Sequence, residues 1–517
     1  MSTTHKRLAR SAGIIGFGTS VSRLLGFIRD ILIAKIFGTS IFADSFFVAF
    51  RIPNLLRDLV GEGAANAAFV PVFSEYLVKK DRNDYWNLIN ALFKLMAVLL
   101  AAVTILGVLL SPLIVRIIAP GFKVDPQKFV ITVNLTRIIF PYIFFVGICA
   151  FLMAVMNSFK SFAAPAFSPA MLNICLIIGA VWWTKHLGIY GLAWAVLLGG
   201  VIQVLIQIIP LFKTGFRFNP KSSYRHPAIG KISRLLFPRF LGSCVYQINL
   251  FVDTILASLS GVVGAGGVSA LYYSNRLVQF PLAIFGVAVA QAALPTMSTQ
   301  SQENNLKNLA HTVSFSLRSV FFVTIPSAAG LMVLARPIVS VLFERGKFDT
   351  YSTGITSSAL MFYSLGLFAY AGTKILVSVF YSMQDTFTPV KVASLSLIIN
   401  VVLNLIFMFP LKVGGLALAT SISATSNFLF LFILLKKRIA DLKYKEIISS
   451  SLRILLASLS MAAVAKFTYL KIGVFLNREP SRIFATVLVS IISYIFFSVF
   501  FKVKELKNLK AWILKKK

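Results

Sequence analysis

Arg23 and Arg29 interrupt SVSRLLGFIRDILIAKIFG, Arg51 and Arg57 interrupt SFFVAFRIPNLLRDLVGEG, and Arg276 interrupts ALYYSNRLVQFP, all stretches that otherwise read as membrane-spanning. A guanidinium offers a planar fork of N–H donors, stays charged at any physiological pH and is less strongly hydrated than an ammonium, so a cluster of them suits phosphate oxygens. Asp44 and Glu62 lie in the same region, where they would orient the arginines or respond as a phosphate arrives. Asp44 and Arg51 share one helix face; Pro53 then bends the chain, and Gly61 and Gly63 loosen it further. Each arginine at mid-membrane costs roughly 2.5–3.5 kcal/mol if it faces lipid, so the five are expected to line a water-filled cavity. Taken singly, Arg29 beside Asp30 and Arg57 beside Asp58 also read as local ion pairs.

The elements that must hold these groups are membrane helices. The chain is 57% hydrophobic and 13% charged, and it runs repeatedly for about 20 residues without a charge, the length needed to cross the bilayer core. The expected fold is an all-α polytopic membrane protein of about 14 helices. The net charge of +34 would fit a nucleic-acid binder, but on alternating sides of the membrane the loops that share a face with the N-terminus hold about three times the Lys and Arg of the others. That asymmetry places both termini in the cytoplasm. Lys6, Arg7 and Arg10 precede a long span with no small-residue cleavage site, so no cleavable signal is expected. The tail KVKELKNLKAWILKKK reads as a basic amphipathic segment on anionic lipid. Cys149, Cys175 and Cys244 fall in apolar spans, and the four His form no cluster with carboxylates, so neither a metal centre nor hydrolytic chemistry is expected and the protein reads as a non-enzyme.

The sequence matches itself at one offset, 224. GLAWA at 191–195 pairs with GLALA at 415–419, Ser158 and Pro165 with Ser382 and Pro389, and Ala64, Ala68, Pro71 and Ser74 with Ala288, Ala292, Pro295 and Ser298. An even number of spans per repeat gives two lobes of the same orientation, a parallel-repeat design used by transporters that bind substrate between their halves. The expected division is an N-terminal lobe over 1–222, a C-terminal lobe over 223–445, an additional helix pair over 446–503 and a cytoplasmic tail over 504–517.

At the same offset Asp253 falls on Arg29, so the second lobe has an acid where the first has a base. Asn400 and Asn404 lie one turn apart, with Thr420 beyond them; their oxygens suit a monovalent cation such as Na+, and equally they suit hydrogen bonds tying helices together. Lys374 reads as a further cavity cation or as a partner of Asp253.

The segments SRLLGFIRDILIAKIFG, ADSFFVAFRIPNLLRDLVGEGAANAAFVPVFSEY, LYYSNRLVQFPLAIFGVAVAQAALPTMS and FYSMQDTFTPVK resemble the signature segments of the MurJ (MviN) family of lipid II flippases, within the multidrug, oligosaccharidyl-lipid and polysaccharide exporter superfamily. The resemblance runs over essentially the whole chain. It implies 14 helices, with the final pair forming a hydrophobic groove for a lipid tail. The substrate it implies is lipid II, undecaprenyl-diphosphate disaccharide pentapeptide, moved from the inner to the outer leaflet of the bacterial cytoplasmic membrane by alternating access. The family's essential positions fall on Arg23, Arg29, Asp44, Arg57, Glu62 and Arg276, with Arg51 where relatives also carry Lys, and Asn275 stands where some relatives have Asp. A sodium site of part of the family resembles Asp253, Asn400, Asn404 and Thr420, Asn404 replacing an acidic ligand. Rival readings are a flippase for another polyprenyl-diphosphate glycan and a non-transporting membrane scaffold. Nothing in the chain requires more than a monomer.

Overall fold

The computed structural model describes residues 3–57, 65–219, 223, 226–439, 441–473, 476 and 478–506, without the side chains of 3–12, 56–57, 65–68 and 237–246. Glu62 and most of the basic tail therefore lie outside the described residues, as do the side chains of Arg57 and Cys244. Packing divides the chain into two units, Met1–Leu259 and Ser260–Lys517.

The first unit holds α1 (Thr3–Phe37), α2 (Ile41–Arg57), α3 (Ala65–Lys79), α4 (Arg82–Leu109), α5 (Ser111–Ile118), α6 (Pro126–Ile139), α7 (Tyr142–Ser158), α8 (Ala163–Ile178), α9 (Thr184–Leu187), α10 (Tyr190–Lys213) and α11 (Pro227–Ala257). The second holds α12 (Ser260–Val263), α13 (Gly267–Pro281), α14 (Ala288–Gln302), α15 (Leu306–Val333), α16 (Ala335–Phe343), α17 (Thr350–Leu365), α18 (Leu367–Ser382), α19 (Phe387–Arg438), α20 (Tyr444–Ile472) and α21 (Glu479–Phe500). Nine helices among the described residues are long and apolar enough to cross a membrane, or ten if the bent pair α17–α18 is one span. The expected count of about 14 also includes α1 and α2, which carry four of the five arginines, and α11, and takes α19 as two arms.

The internal repeat is visible in the backbone. α4 and α15, α5 and α16, α6 and α17, and α8 and α19 each begin 224 residues apart. Their caps match as well: Asp125 accepts the Lys128 N–H at the start of α6, and Asp349 accepts the Ser352 N–H at the start of α17. After α7 the chain turns through Lys160 (φ 57°), with Ser161 N–H donating to Met156 O; after α18 it turns through Gln384 (φ 60°), with Asp385 N–H donating to Phe380 O. Both are helix endings in which a left-handed residue lets the next N–H reach back to an orphan carbonyl.

The longest helix is in fact a hairpin. At Lys412 the backbone adopts φ 51°, ψ −130°, and a Cβ on Gly415 would lie 2.1 Å from Phe407 O, two residues that a straight helix would hold about 12 Å apart along its axis. Ser423 Oγ donates to Ser396 O, and Asn400 Nδ2–H to Thr420 Oγ1, so the two arms run antiparallel. The repeat mate of Lys412 is Gly188, which has φ 56°, ψ −138°, and a Cβ on Gly191 would lie 2.8 Å from the Trp183 carbonyl carbon. Only glycine fits the inside of either turn.

The packing boundary falls beyond the repeat boundary. α11, which opens the second repeat, packs against α3, α4 and α5 in the first unit. Its C-terminal end is held there by Ser258, whose hydroxyl accepts the Gly121 N–H at 3.1 Å, and Gly121 permits the approach because a Cβ would meet Ser258 O at 2.1 Å. α20 of the additional pair packs on α15 and on α21, burying the small residues Ala457, Ser458 and Ala465, and α21 reaches α15 through Tyr494, whose hydroxyl donates to Phe322 O at 2.7 Å.

Two predictions concern these turns. Lys412→Gly removes a side chain from a backbone region that L-residues rarely adopt and is expected to stabilise by about 1 kcal/mol, whereas Gly415→Val is expected to cost about 2 kcal/mol or more; both are read from the melting temperature of purified protein. Asp385 follows α18, where burial raises its pKa but hydrogen bonds from Thr388 and the Arg438 guanidinium at 2.6 Å outweigh it and lower the value to about 2. Its contribution is present above the ordinary value of 3.8 and is lost as pH falls towards 2. Asp385→Asn should flatten the pH dependence of melting in that window.

Candidate functional site

α1 lies against α8 closely enough that a Cβ on Gly18 would meet Ala166 O at 2.8 Å, and this contact sets the polar strip beyond it. Asn173 on α8 donates to Ser22 O at 2.9 Å and accepts from Arg29 Nη1 at 2.9 Å. Arg29 Nε and Nη2 both reach Asp30 Oδ1, at 2.9 and 2.7 Å. Arg29 is 7% exposed and Asp30 0%, so this guanidinium is enclosed in the first unit and its fork is engaged by protein groups. Of the two readings of Arg29, the structure shows the local ion pair. Two turns earlier, Arg23 is exposed and has no hydrogen-bond or ionic partner among the described residues.

Asp44, near the start of α2, is buried at 1% exposure and accepts from Lys128 Nζ at 2.7 Å. Lys128 sits in the first turn of α6, is itself buried, and lies 4.0 Å over the Phe122 ring. Thr132 one turn on donates to Lys128 O and to Ser45 Oγ, joining α6 to α2. Sequence spacing alone does not single out Lys128 as a partner of Asp44. The Asp125–Pro126 helix start was the available signal, because it places position 128 inside a helix and not in a loop.

Arg51, two turns along α2 from Asp44, donates from Nε to Thr254 Oγ1 at 3.1 Å, linking α2 to α11. Arg276 is half-buried on α13. Lys374 on α18 is exposed, with no hydrogen-bond or ionic partner for its ammonium among the described residues. The structure thus brings Arg29 together with Asp30 and Asn173, and Asp44 with Lys128, and leaves Arg23 and Lys374 open.

The polar residues considered for a cation divide between the units. Asp253 is buried on α11 in the first unit. Asn404 Nδ2–H donates to Asn400 Oδ1 at 2.8 Å, and Asn400 Nδ2–H donates to Thr420 Oγ1 at 3.3 Å, joining the arms of α19. Amide N–H groups stand between the oxygens of this trio. As arranged, Asn400, Asn404 and Thr420 form a hydrogen-bonded tie between the two arms of α19.

The chain matches the family described as lipid II flippase MurJ over residues 33–501. It is 39% identical to the probable lipid II flippase MurJ of Vibrio cholerae, covering 83% of each chain. It is 37% identical to the lipid II flippase MurJ of Burkholderia cenocepacia, over 82% of this chain and 83% of the relative. Among solved structures it is similar to a lipid II flippase MurJ in an inward closed conformation, with a TM-score of 0.80 and 29% identity over 94% of this chain and 98% of that one. An inward-facing MATE family transporter of the MOP superfamily shares the fold, with a TM-score of 0.69 at 16% identity over 82% of this chain and 96% of that one.

The packing of Arg29 yields a stability prediction. Arg29→Ala leaves Asp30 buried beside a cavity and is expected to destabilise by about 3–5 kcal/mol, while the double variant Arg29→Leu with Asp30→Leu recovers much of the loss. Thermal unfolding of the purified proteins measures both.

Proposed function

The chain belongs to the lipid II flippase MurJ family, and from that membership we propose that it carries lipid II from the inner to the outer leaflet of the bacterial cytoplasmic membrane. The protein breaks no bond; it is a transporter, alternating between states that admit the substrate from one face and release it at the other. Both termini lie in the cytoplasm, where the basic loops collect, and a single chain suffices.

The observation that carries the reading is the open guanidinium of Arg23 within a membrane helix. Facing lipid it would cost roughly 2.5–3.5 kcal/mol; beside a diphosphate it gains charge-assisted hydrogen bonds. Arg276 and Lys374 add cations on α13 and α18, and Arg57 and Glu62 belong to the same group by family position. Arg29 contributes by position: its pair with Asp30 and its bond to Asn173 set how α1 lies on α8, and therefore where Arg23 points. Asp44 with Lys128, and Arg51 with Thr254, fix α2 in the same way. The hydrophobic faces of α20 and α21 accommodate the lipid tail.

Direction follows from charge. A potential negative inside favours outward movement of an anionic headgroup by about 2.3 kcal/mol per charge per 100 mV.

The test is headgroup accessibility of lipid II in cells depleted of their own flippase and supplied with this protein. Arg23→Ala is expected to lose at least tenfold in outward movement at unchanged protein level, since no partner is orphaned, and Arg23→Lys to retain part of it. Full restoration by Arg23→Ala would sink the mechanism. Outward movement of a different polyprenyl-diphosphate glycan in place of lipid II would favour the rival substrate.

A further inference from the structure

A cavity of about 210 Å³ in the second unit is lined by Arg318, Lys445, Glu446, Ser450, Arg453 and Lys504, none of them among the candidate site residues. It forms where α15 and the first turns of α20 meet the chain leaving α21. That chain turns through Lys502 (φ 55°), and Val503 N–H reaches back to Ser498 O, so Val503 and Glu505 are tucked inward at 3% and 5% exposure. Arg318 Nη1 then stands 3.5 Å from Glu505 and 3.7 Å from Glu446.

The charges do not balance. Glu505 faces Arg318, and Glu446 faces both Arg318 and Lys443, the latter at 3.5 Å. Lys445, Arg453 and Lys504 remain as cations in excess, with Arg453 spending Nη1 on Lys502 O at 3.2 Å. Ser450 supplies an independent sign of a missing acceptor: it is 9% exposed, it lines the cavity, and its hydroxyl has no hydrogen-bond partner among the described residues. A buried hydroxyl without a partner costs about 1–3 kcal/mol, which an oxyanion seated in the cavity would remove.

We propose that this cavity binds the phosphodiester headgroup of an anionic glycerophospholipid from the adjoining leaflet. A phosphodiester supplies an acceptor for Ser450 and negative charge for the three cations in excess. The lipid source follows from the surroundings: Ile448 and Leu452 on α20 and Val499 and Phe500 on α21 are exposed apolar side chains close in sequence to the cavity residues, a surface for acyl chains that a free phosphate would not use. The bound lipid would brace α20 and α21 against α15.

The experiment is native mass spectrometry of the full-length protein in neutral detergent, titrated with dioleoyl phosphatidylglycerol, with dioleoyl phosphatidylcholine, or with inorganic phosphate. One saturable phosphatidylglycerol adduct is expected, weakened about fivefold by Arg453→Gln, about fivefold by Lys504→Gln and about 25-fold by the pair, with phosphatidylcholine giving no saturable adduct. Ser450→Ala, which alters no charge, should weaken it by a smaller factor; if an Arg453 variant fails to fold, the exposed Lys445→Gln replaces it. Undiminished phosphatidylglycerol binding by the folded variants overturns the site, and equal binding of phosphatidylcholine overturns the headgroup. Displacement of the lipid by millimolar inorganic phosphate overturns the lipid as its ligand.

Discussion

A guanidinium in an apolar helix must be matched, by a carboxylate, by polar backbone and side-chain oxygens, or by a ligand, because lipid offers it nothing. The arrangement of α1 follows from that constraint. Arg29 is satisfied within the protein by Asp30 and Asn173, which obliges α8 to lie where Asn173 can reach. Arg23, two turns away on the same rod, is left for something outside the described protein groups. One helix therefore carries both a structural arginine and a candidate binding arginine, and the first aims the second.

Duplication supplies the frame on which these charges are set. The matched helix starts, the paired Asp125 and Asp349 caps, and the paired Gly188 and Lys412 turns show that backbone geometry has been retained even where side chains changed. The polar side chains diverge far more: Asp253 replaces Arg29, and the tie between Asn400, Asn404 and Thr420 has Leu176, Ala180 and Val196 at the corresponding places in the first half. Turns and caps are constrained by local backbone sterics in both copies. The charges are constrained only by what each copy must face.

Much of the fold was open to reading from the residues. Apolar run lengths marked the helices, and three short matches at one offset marked the repeat. α2 continues through Pro53, which is buried; a proline inside a helix is tolerated when neighbouring side chains pack around it. The reading missed Lys128 as the partner of Asp44, because residues 84 apart meet only through the packing of α6 on α2. The arginines were visible as a group, but their division into matched and open members was not.

The sequence by itself determined the membrane character, the duplication and the identity of the charged groups, because hydrophobic run length, self-similarity and side-chain chemistry are properties of the chain in order. Only the tertiary structure decided that Arg29 is engaged and Arg23 is not, that α11 packs with the first unit although it opens the second repeat, and that Ser450 meets the cations near α15 and α21. Those outcomes depend on distances between residues far apart along the chain, and such distances are set when helices pack, by where glycines such as Gly18 and Gly121 let two backbones close to contact.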